Sequence, residues 1–455
     1  MAILYNIFKF MSKETISKLI LYFLIPLQLL IFTFLVPPFQ KPDEQPHFEK
    51  ALIISKGYLF CQKKSNNIVK LEKKYIDFIK SPYLDLLTHG RSSKLPLPIF
   101  LKDLFSNNQS NKKIDFNIDH LCSFPIISYL PQSFALIITS IFNFNQILSL
   151  YFGRLAMSIL SYFWFLYLYR KIADEYKPIL LFTFALPMTL HQISSFSYDV
   201  INIMLALTFF VLIMNYRLKK KVDFWQYFKL FFVLFLFLWS KKIGYETFFL
   251  FLFLIPFEIK PMMIASLIFI PFYILSKLTG AYDLQYLLIS QTINPPQQIG
   301  FLFTNPINFI SVVIVTTVHR LSFYLQSLIG IFGWLEYGLD PLSYFLYGLF
   351  FIYVLMNINL VKKQMLAKNK SVLLFIALII SYMFIVLLAY VFNTVPGTLI
   401  AHGVQGRYFI PFLPFIILFI IQIKDNPILQ KILYFLIIIF LISSTLYSVI
   451  NRYYE

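Results

Sequence analysis

Charge is scarce in this 455-residue chain: only 13% of its residues are Asp, Glu, Lys or Arg, against about 25% in a soluble domain. That is too little to cover the surface of an ordinary soluble enzyme. The soluble catalytic signatures are missing as well: no phosphate-binding Gly-Lys-Ser/Thr loop, no dinucleotide fingerprint, no His-Glu zinc pair and no nucleophile elbow. Without a nucleotide site, a nucleotide-driven pump is not expected. With 59% hydrophobic and 19% aromatic residues, a disordered chain is excluded too.

What is present is apolar. Mean hydropathy is +0.72, and the apolar residues fall in runs of roughly 16–22, long enough to cross about 30 Å of hydrocarbon. The fold class is therefore an all-α polytopic membrane protein, read as a single multispan membrane domain over residues 1–455. The net charge of +18 sits mostly in short clusters between apolar runs, where cations set orientation. It points to topology and anionic lipid, and to no nucleic-acid partner.

The apolar run from Leu19 to about Val36 follows Lys9, Lys13 and Lys18 and lacks a small-residue cleavage site. It reads as an uncleaved first span with its N-terminus in the cytoplasm. The polar segment 37–124, with 14 Lys/Arg and 9 Asp/Glu, is then a first external loop. The next run, 125–142, is short and broken by Pro131, so a helix lying in the interface is expected. Further spans are expected at 147–168, 178–195, 199–215, 226–239, 245–257, 262–277, 341–359, 371–392, 408–423 and 432–449, about eleven crossings in all. Residues 278–340 form a second external segment. Within it, 307–331 is apolar but carries His319 and Arg320, and an interfacial helix is expected there too. The two cysteines, Cys61 and Cys122, share the first loop; their spacing does not establish whether they pair.

Three stretches carry candidate chemistry. The first, Val36 to Glu49, places Asp43, Glu44 and His47 just beyond the first span. A carboxylate there could accept a proton from an acceptor, or Glu44 and His47 at three-residue spacing could hold a divalent metal such as Mg or Mn. The structural alternative is that Asp43 caps the helix that follows. The second stretch, Ala401 to Phe409, sets His402, Arg407 and Tyr408 beside Gly403 and Gly406. A guanidinium there suits bidentate capture of phosphate, or merely snorkels to the membrane edge. The third is Lys241 and Lys242 beside Tyr245 and Glu246, which could neutralise a lipid phosphate or serve as cytoplasmic anchors. Arg154, His191, Asp199 and the 336–340 segment are smaller signals at helix ends.

Several short motifs follow one another along the chain: Pro-Asp-Glu-x-x-His-Phe at 42–48, Ile54-Ser55-Lys56-Gly57, Tyr129-Leu130-Pro131-Gln132, Gly153-Arg154-Leu155 and Ser197-Tyr198-Asp199. Gly330-Ile331-Phe332-Gly333-Trp334-Leu335 and Gln405-Gly406-Arg407-Tyr408-Phe409-Ile410-Pro411 complete the set. In these the chain resembles, over nearly its whole length, the bacterial membrane proteins catalogued as domain of unknown function 2142. One departure is Glu336, where the family pattern carries Asp. That family resembles the C-type glycosyltransferases, multispan enzymes that use a polyprenyl-phosphate-linked sugar on the outer face of the plasma membrane. The resemblance implies a C-type arrangement of spans and an extracytoplasmic transferase acting on a glycan, lipid or protein acceptor. In that role Asp43 or Glu44 is the base, and Arg407 with Lys241 or Lys242 holds the donor phosphate. His402 and Tyr408 lie beside that phosphate site, with His47, Arg154 and Asp199 in support. The rival class is a carrier or flippase for a lipid-linked or anionic precursor, which would place charges near the midplane and broken helices in matching halves. A non-catalytic scaffold would not explain polar residues clustered at one face.

Overall fold

Long apolar runs become helices because helical hydrogen bonding satisfies every backbone group without water. The computed structural model describes residues 17–61, 67–81, 83, 94–106, 112–241, 243–279, 293–357, 368–420 and 442–454. Among these, five helices are long and apolar enough to cross a membrane: Ser17–Phe34, Gln146–Lys171, Asp199–Arg217, Pro306–Gly330 and Asn369–Asn393.

The first span, α1 (Ser17–Phe34), includes a π-helical turn at Ile20–Leu24. The segment after it is not a plain polar loop but a folded cap. Helix α2 (Glu44–Ser55) leads to strand β1 (Ile68–Glu72) and helix α3 (Lys73–Ile79), followed by α4 (Leu97–Leu104) and β2 (Lys113–Asn117). The strands pair antiparallel from Ile68↔Asn117 to Glu72↔Lys113. Helix α5 (Leu130–Ile141) closes the cap. Phe39, Phe48, Leu52, Leu71, Ile79, Leu121, Tyr129 and Leu150 form a hydrophobic core distinct from that of the bundle. Cys61 and Cys122 do pair, with Cα atoms 5.7 Å apart, and join α2's exit to the end of the β1–β2 unit.

The bundle continues with α6 (Gln146–Lys171), whose start is fixed by the Asn145 side chain accepting from the Leu148 N–H at 2.8 Å. Then come α7 (Lys177–Ala185) and α8 (Pro187–Ile193). The 178–195 run was expected as one span. It is two short buried helices, because the residue before Pro187 is driven out of the helical region (Leu186 ψ 133°). Helix α9 (Asp199–Arg217) is almost wholly buried, and α10 (Phe224–Trp239) begins in a capping box of Asp223 and Gln226. The expected span 245–257 is instead a 3₁₀ stretch, Glu246–Leu254.

Helices α11 (Ile259–Thr279) and α12 (Pro295–Thr304) precede α13 (Pro306–Gly330). The helix expected at 307–331 is present. His319 and Arg320 do not interrupt α13, which is continuous over 25 residues and meets the length and composition of a span. A two-residue ladder, β3 (Ile331–Phe332) with β4 (Tyr337–Gly338), leads into α14 (Pro341–Asn357) and α15 (Lys368–Asn393). The 408–423 run starts as a 3₁₀ turn, Gly406–Phe412, before α16 (Leu413–Ile420). Of the expected span 432–449, residues up to 441 lie outside the described residues, while 442–453 are helical. Its C-terminal end docks on the cap, where the Leu95 N–H donates to the Tyr453 carbonyl at 2.8 Å.

Candidate functional site

The site is built on the chain leaving α1. Val36, Pro37, Phe39, Gln40 and Lys41 are all buried or tied down. Phe39 and Asp43 both adopt left-handed backbone (φ 63° and 56°), which turns the chain sharply before α2. Arg154 of α6 organises this turn with all five of its N–H groups. Its Nε donates to Glu44 Oε1 at 2.8 Å and its Nη2 to Glu44 Oε2 and the Pro37 carbonyl, while Nη1 donates to the carbonyls of Thr33 and Val36. Glu44 Oε1 also accepts from the Phe196 N–H at 3.2 Å. Lys41 donates to the Ser194 carbonyl and to Ser194 Oγ, Gln40 Nε2 donates to the Tyr83 carbonyl at 2.6 Å, and Trp334 Nε1 donates to the Phe39 carbonyl at 3.4 Å. Burial, reinforced by the neighbouring Arg154 cation, holds the Lys41 ammonium well below the usual lysine range.

Asp43 occupies the N-cap position of α2, yet its side chain makes no capping bond. It turns outward, 48% exposed, with Oδ2 3.4 Å from Nη2 of Arg407. The two residues are 364 positions apart. Arg407 is held in the 3₁₀ turn by Gly406, whose N–H donates to Ser327 Oγ at 2.8 Å. A side chain at 406 would run into the backbone of α13 at Tyr324 and Leu328, so only glycine lets the turn sit this close. Arg407 is buried except for 8% of its side chain, and its Nε has no hydrogen-bond partner among the described residues. A buried cationic donor left open in this way is free for an incoming acceptor oxygen.

Beside this pair lies a second group. Lys241 Nζ stands 3.3 Å from Asp199 Oδ1 and within 4.8–5.1 Å of the ring centres of Tyr198, Tyr245 and Tyr408. Burial opposes the charge on Lys241, but Asp199 and the three tyrosines outweigh it and hold the ammonium well above the usual range. Burial pushes the Tyr245 hydroxyl up to about 12. His47 is buried behind them, its Nδ1 2.6 Å from the Tyr129 hydroxyl and its ring edge-on to Tyr198. From Lys241 and Tyr408 a cavity of about 420 Å³ extends between Phe124, Ile243, Ile385, Leu388 and Phe392. It is polar at one end and apolar along its walls.

Of the residues singled out in the sequence, Asp43, Arg407, Tyr408, Lys241, Asp199 and His47 thus come together. Glu44 and Arg154 lie behind them as a closed pair. With both Glu44 oxygens on Arg154 and His47 Nδ1 on Tyr129, the Glu44–His47 metal pairing is not assembled. Among the described residues no group of three His, Cys, Asp or Glu side chains could hold a metal ion. His402 is exposed and engages Thr394 only through its backbone N–H; its neighbour Gly403, not its side chain, lines the cavity. Lys242 lies outside the described residues. The wall from α15 carried no signal in the sequence, since Ile385, Leu388 and Phe392 read there only as part of a span.

A multispan helical membrane protein, with a folded cap on one end of the bundle and a charged cleft beneath it, is the class these features define. A model of the family described as "Predicted membrane protein (DUF2142)" matches residues 27–416, and the chain belongs to that family. No curated protein and no solved structure matches it.

Proposed function

We propose that this protein is a C-type glycosyltransferase of the bacterial plasma membrane, with its active face extracytoplasmic. It moves a sugar from a polyprenyl-phosphate-linked donor to a glycan, lipid or protein acceptor of the cell envelope. The observation that carries the reading is the outward-facing Asp43 carboxylate, set against a buried Arg407 with an unfilled donor, whose chain neighbour Tyr408 lines a largely apolar cavity. The Cys61–Cys122 disulfide supports an oxidising face for the cap.

Asp43 takes the proton from an acceptor hydroxyl as its oxygen bonds to the anomeric carbon. The bond from that carbon to the phosphate oxygen breaks, and the lipid phosphate leaves with the electron pair, so the anomeric configuration inverts. Arg407 Nε and Nη2 stabilise the departing anion, which needs no proton because it is a weakly basic phosphate. Lys241, compensated by Asp199, contributes field at the cavity's polar end, and the apolar walls receive the start of the isoprenoid chain. Glu44 takes no part in the transfer, because both its oxygens are spent on Arg154.

The test is transfer from a polyprenyl-phosphate sugar by purified protein in proteoliposomes. Asp43→Asn is expected to lose about 10²-fold or more of the rate, and full transfer by Asp43→Asn would reject the assignment. A second reading, a carrier for a lipid-linked or anionic precursor, draws on the break between α7 and α8 inside the buried core. It predicts translocation without chemical transfer, unaffected by Asp43→Asn.

A further inference from the structure

The cap carries two apolar faces that it does not bury. On α5, Leu130, Phe134, Ile137 and Ile141 recur at three- and four-residue spacing and are 40–69% exposed. The opposite side of the same helix, Gln132, Ser133, Leu136 and Thr139, is buried. Phe142 and Phe144 continue the exposed row past the helix end. On α4, Leu97 and Leu101, with Phe105 one residue beyond the helix, form the same kind of row, 45–77% exposed, while Phe100 points into the cap core. Nothing in the α4 sequence distinguishes it from a short loop helix.

One residue joins the two rows. Asn145 donates through Nδ2 to the carbonyls of Leu104, at 2.6 Å, and Ser106, at 3.1 Å, and accepts from the Leu148 N–H. It therefore ties the end of α4, the turn after α5 and the first turn of the span α6 into one junction. Helix α6 ends at Arg170 and Lys171, and about 20 residues of helix span the hydrocarbon, so its start lies at the opposite membrane boundary. Along α6 below that junction, Ile159, Leu160, Phe163 and Tyr167 are exposed on the flank of the bundle. The apolar rows of the cap are thus continuous in height with the bundle's own lipid-facing surface.

We propose that α4 and α5 are seated together in the boundary between headgroups and acyl chains of the leaflet on the cap side, so that the cap is held by the bilayer at two points. The occupant of both faces is lipid. The helix-wide apolar stripe, the aromatic ends at Phe105, Phe142 and Phe144, and the position of both rows at the head of a span match the requirements of an interface-lying helix. The seat fixes the height of the turn carrying Asp43 relative to the membrane, because α5 packs on α2 through Ser133 Oγ donating to the Ala51 carbonyl at 2.9 Å. The inference is independent of the transferase reading.

The test uses the disulfide to advantage: with Cys61 and Cys122 paired, a newly introduced cysteine takes a spin label alone. Leu101→Cys, Phe105→Cys, Phe134→Cys and Ile141→Cys, labelled in proteoliposomes, are compared with Asp115→Cys on the exposed side of β2. The expected result is a several-fold higher ratio of collisions with oxygen to collisions with a water-soluble nickel chelate at the four apolar sites. A ratio equal to that at Asp115→Cys puts the rows in water and overturns the proposal. Exclusion of both reagents means protein, such as a second copy of the chain, covers them, and overturns it equally. The unaltered protein gives an independent reading through a bilayer-confined diazirine. Photoadducts within 97–105 and 130–144 are expected, and adducts confined to the long spans would reject the seat.

Discussion

Glu44 and Arg154, 110 residues apart, form an ion pair with no solvent exposure on either side chain. Asp43, the next residue back, is half exposed and faces Arg407 instead. Two adjacent acids of the same chemistry are thereby given opposite work. One fixes the turn after the first span, and the other is left available at the cleft. The left-handed backbone at Asp43 (φ 56°) is what separates them, since it turns its side chain away from the helix it precedes.

Removing Arg154 should therefore be far worse than removing the charge of Asp43. Arg154→Met leaves Glu44 buried without its paired cation and with only the Phe196 N–H donating to it, a loss of about 3–5 kcal/mol in comparable buried pairs. It is expected to abolish folded protein in mild detergent, as read by size-exclusion profile and thermal unfolding. The double variant Glu44→Gln with Arg154→Met should recover part of that loss, because no uncompensated charge remains. Asp43→Asn should unfold within a degree or two of the native protein. A double variant no better than Arg154→Met alone would show the pair does not act as a unit.

How much of this was legible in the sequence depended on whether the deciding partner lay nearby. The Pro-Asp-Glu turn after a span and the Gly-Arg-Tyr entry to another marked Asp43 and Arg407 as unusual by local composition alone. Nothing local could choose between Asp43 and Glu44, because the choice is made by Arg154 on a different helix. The capping role open to Asp43 failed for a backbone reason, its positive φ. The 178–195 run shows the limit of hydropathy: an apolar window does not register that Pro187 forces its predecessor out of the helix. In α13, His319 and Arg320 lower the apparent fit of a span by hydropathy, yet the helix continues straight through them. The cap core was hidden because most of its apolar residues come from short elements far apart in sequence, and others from the first turns of the span α6.

Gly406→Ala should be among the most damaging small substitutions in the chain. A methyl there meets the Tyr324 carbonyl and the Leu328 N–H of α13, both backbone and unable to move aside. Overpacking typically costs about 1–3 kcal/mol, and a rigid backbone puts this site at the top of that range or beyond. Gly348→Ala, where a methyl meets nothing within 4 Å, is the control. The measurement is thermal unfolding of both in the same detergent, with a lowered midpoint expected for Gly406→Ala only.

Reducing the Cys61–Cys122 bridge should loosen the cap without dissolving the bundle. The bond closes 61 residues, and chain entropy assigns such a loop about 4 kcal/mol. The bundle core does not include these residues. Limited proteolysis after reduction should therefore cut within the cap while the long helices persist. Cleavage patterns identical with and without reductant would count against a stabilising bond.

Acid should open the same region. In the cap, burial raises the Glu72 carboxyl, but the hydrogen bond from Lys56 at 2.8 Å, a backbone hydrogen bond and the charges of Lys56 and Lys74 together outweigh it and hold the carboxyl below its ordinary 4.5. Asp119 is likewise held below 3.8, the bonds from the Asn67 side chain and N–H outweighing the effect of burial. Both folded values lie below the unfolded ones, so the unfolded cap binds more protons. The stabilisation is complete above about pH 4.5 and is lost as pH falls through that value toward the lower folded ones. Amide hydrogen exchange across 67–72 and 113–119 should accordingly rise, after correction for the intrinsic rate, between pH 5 and about pH 3. Lys56→Met removes the main cause of the lowered Glu72 value and should flatten the acid-dependent rise across the 68–72 strand, while leaving Asp119 and its contacts unchanged. An acid response of the 68–72 strand that is unchanged on removing Lys56 would mean that the Lys56–Glu72 pair, its side chains 23% and 17% exposed, contributes nothing to holding the strand in place.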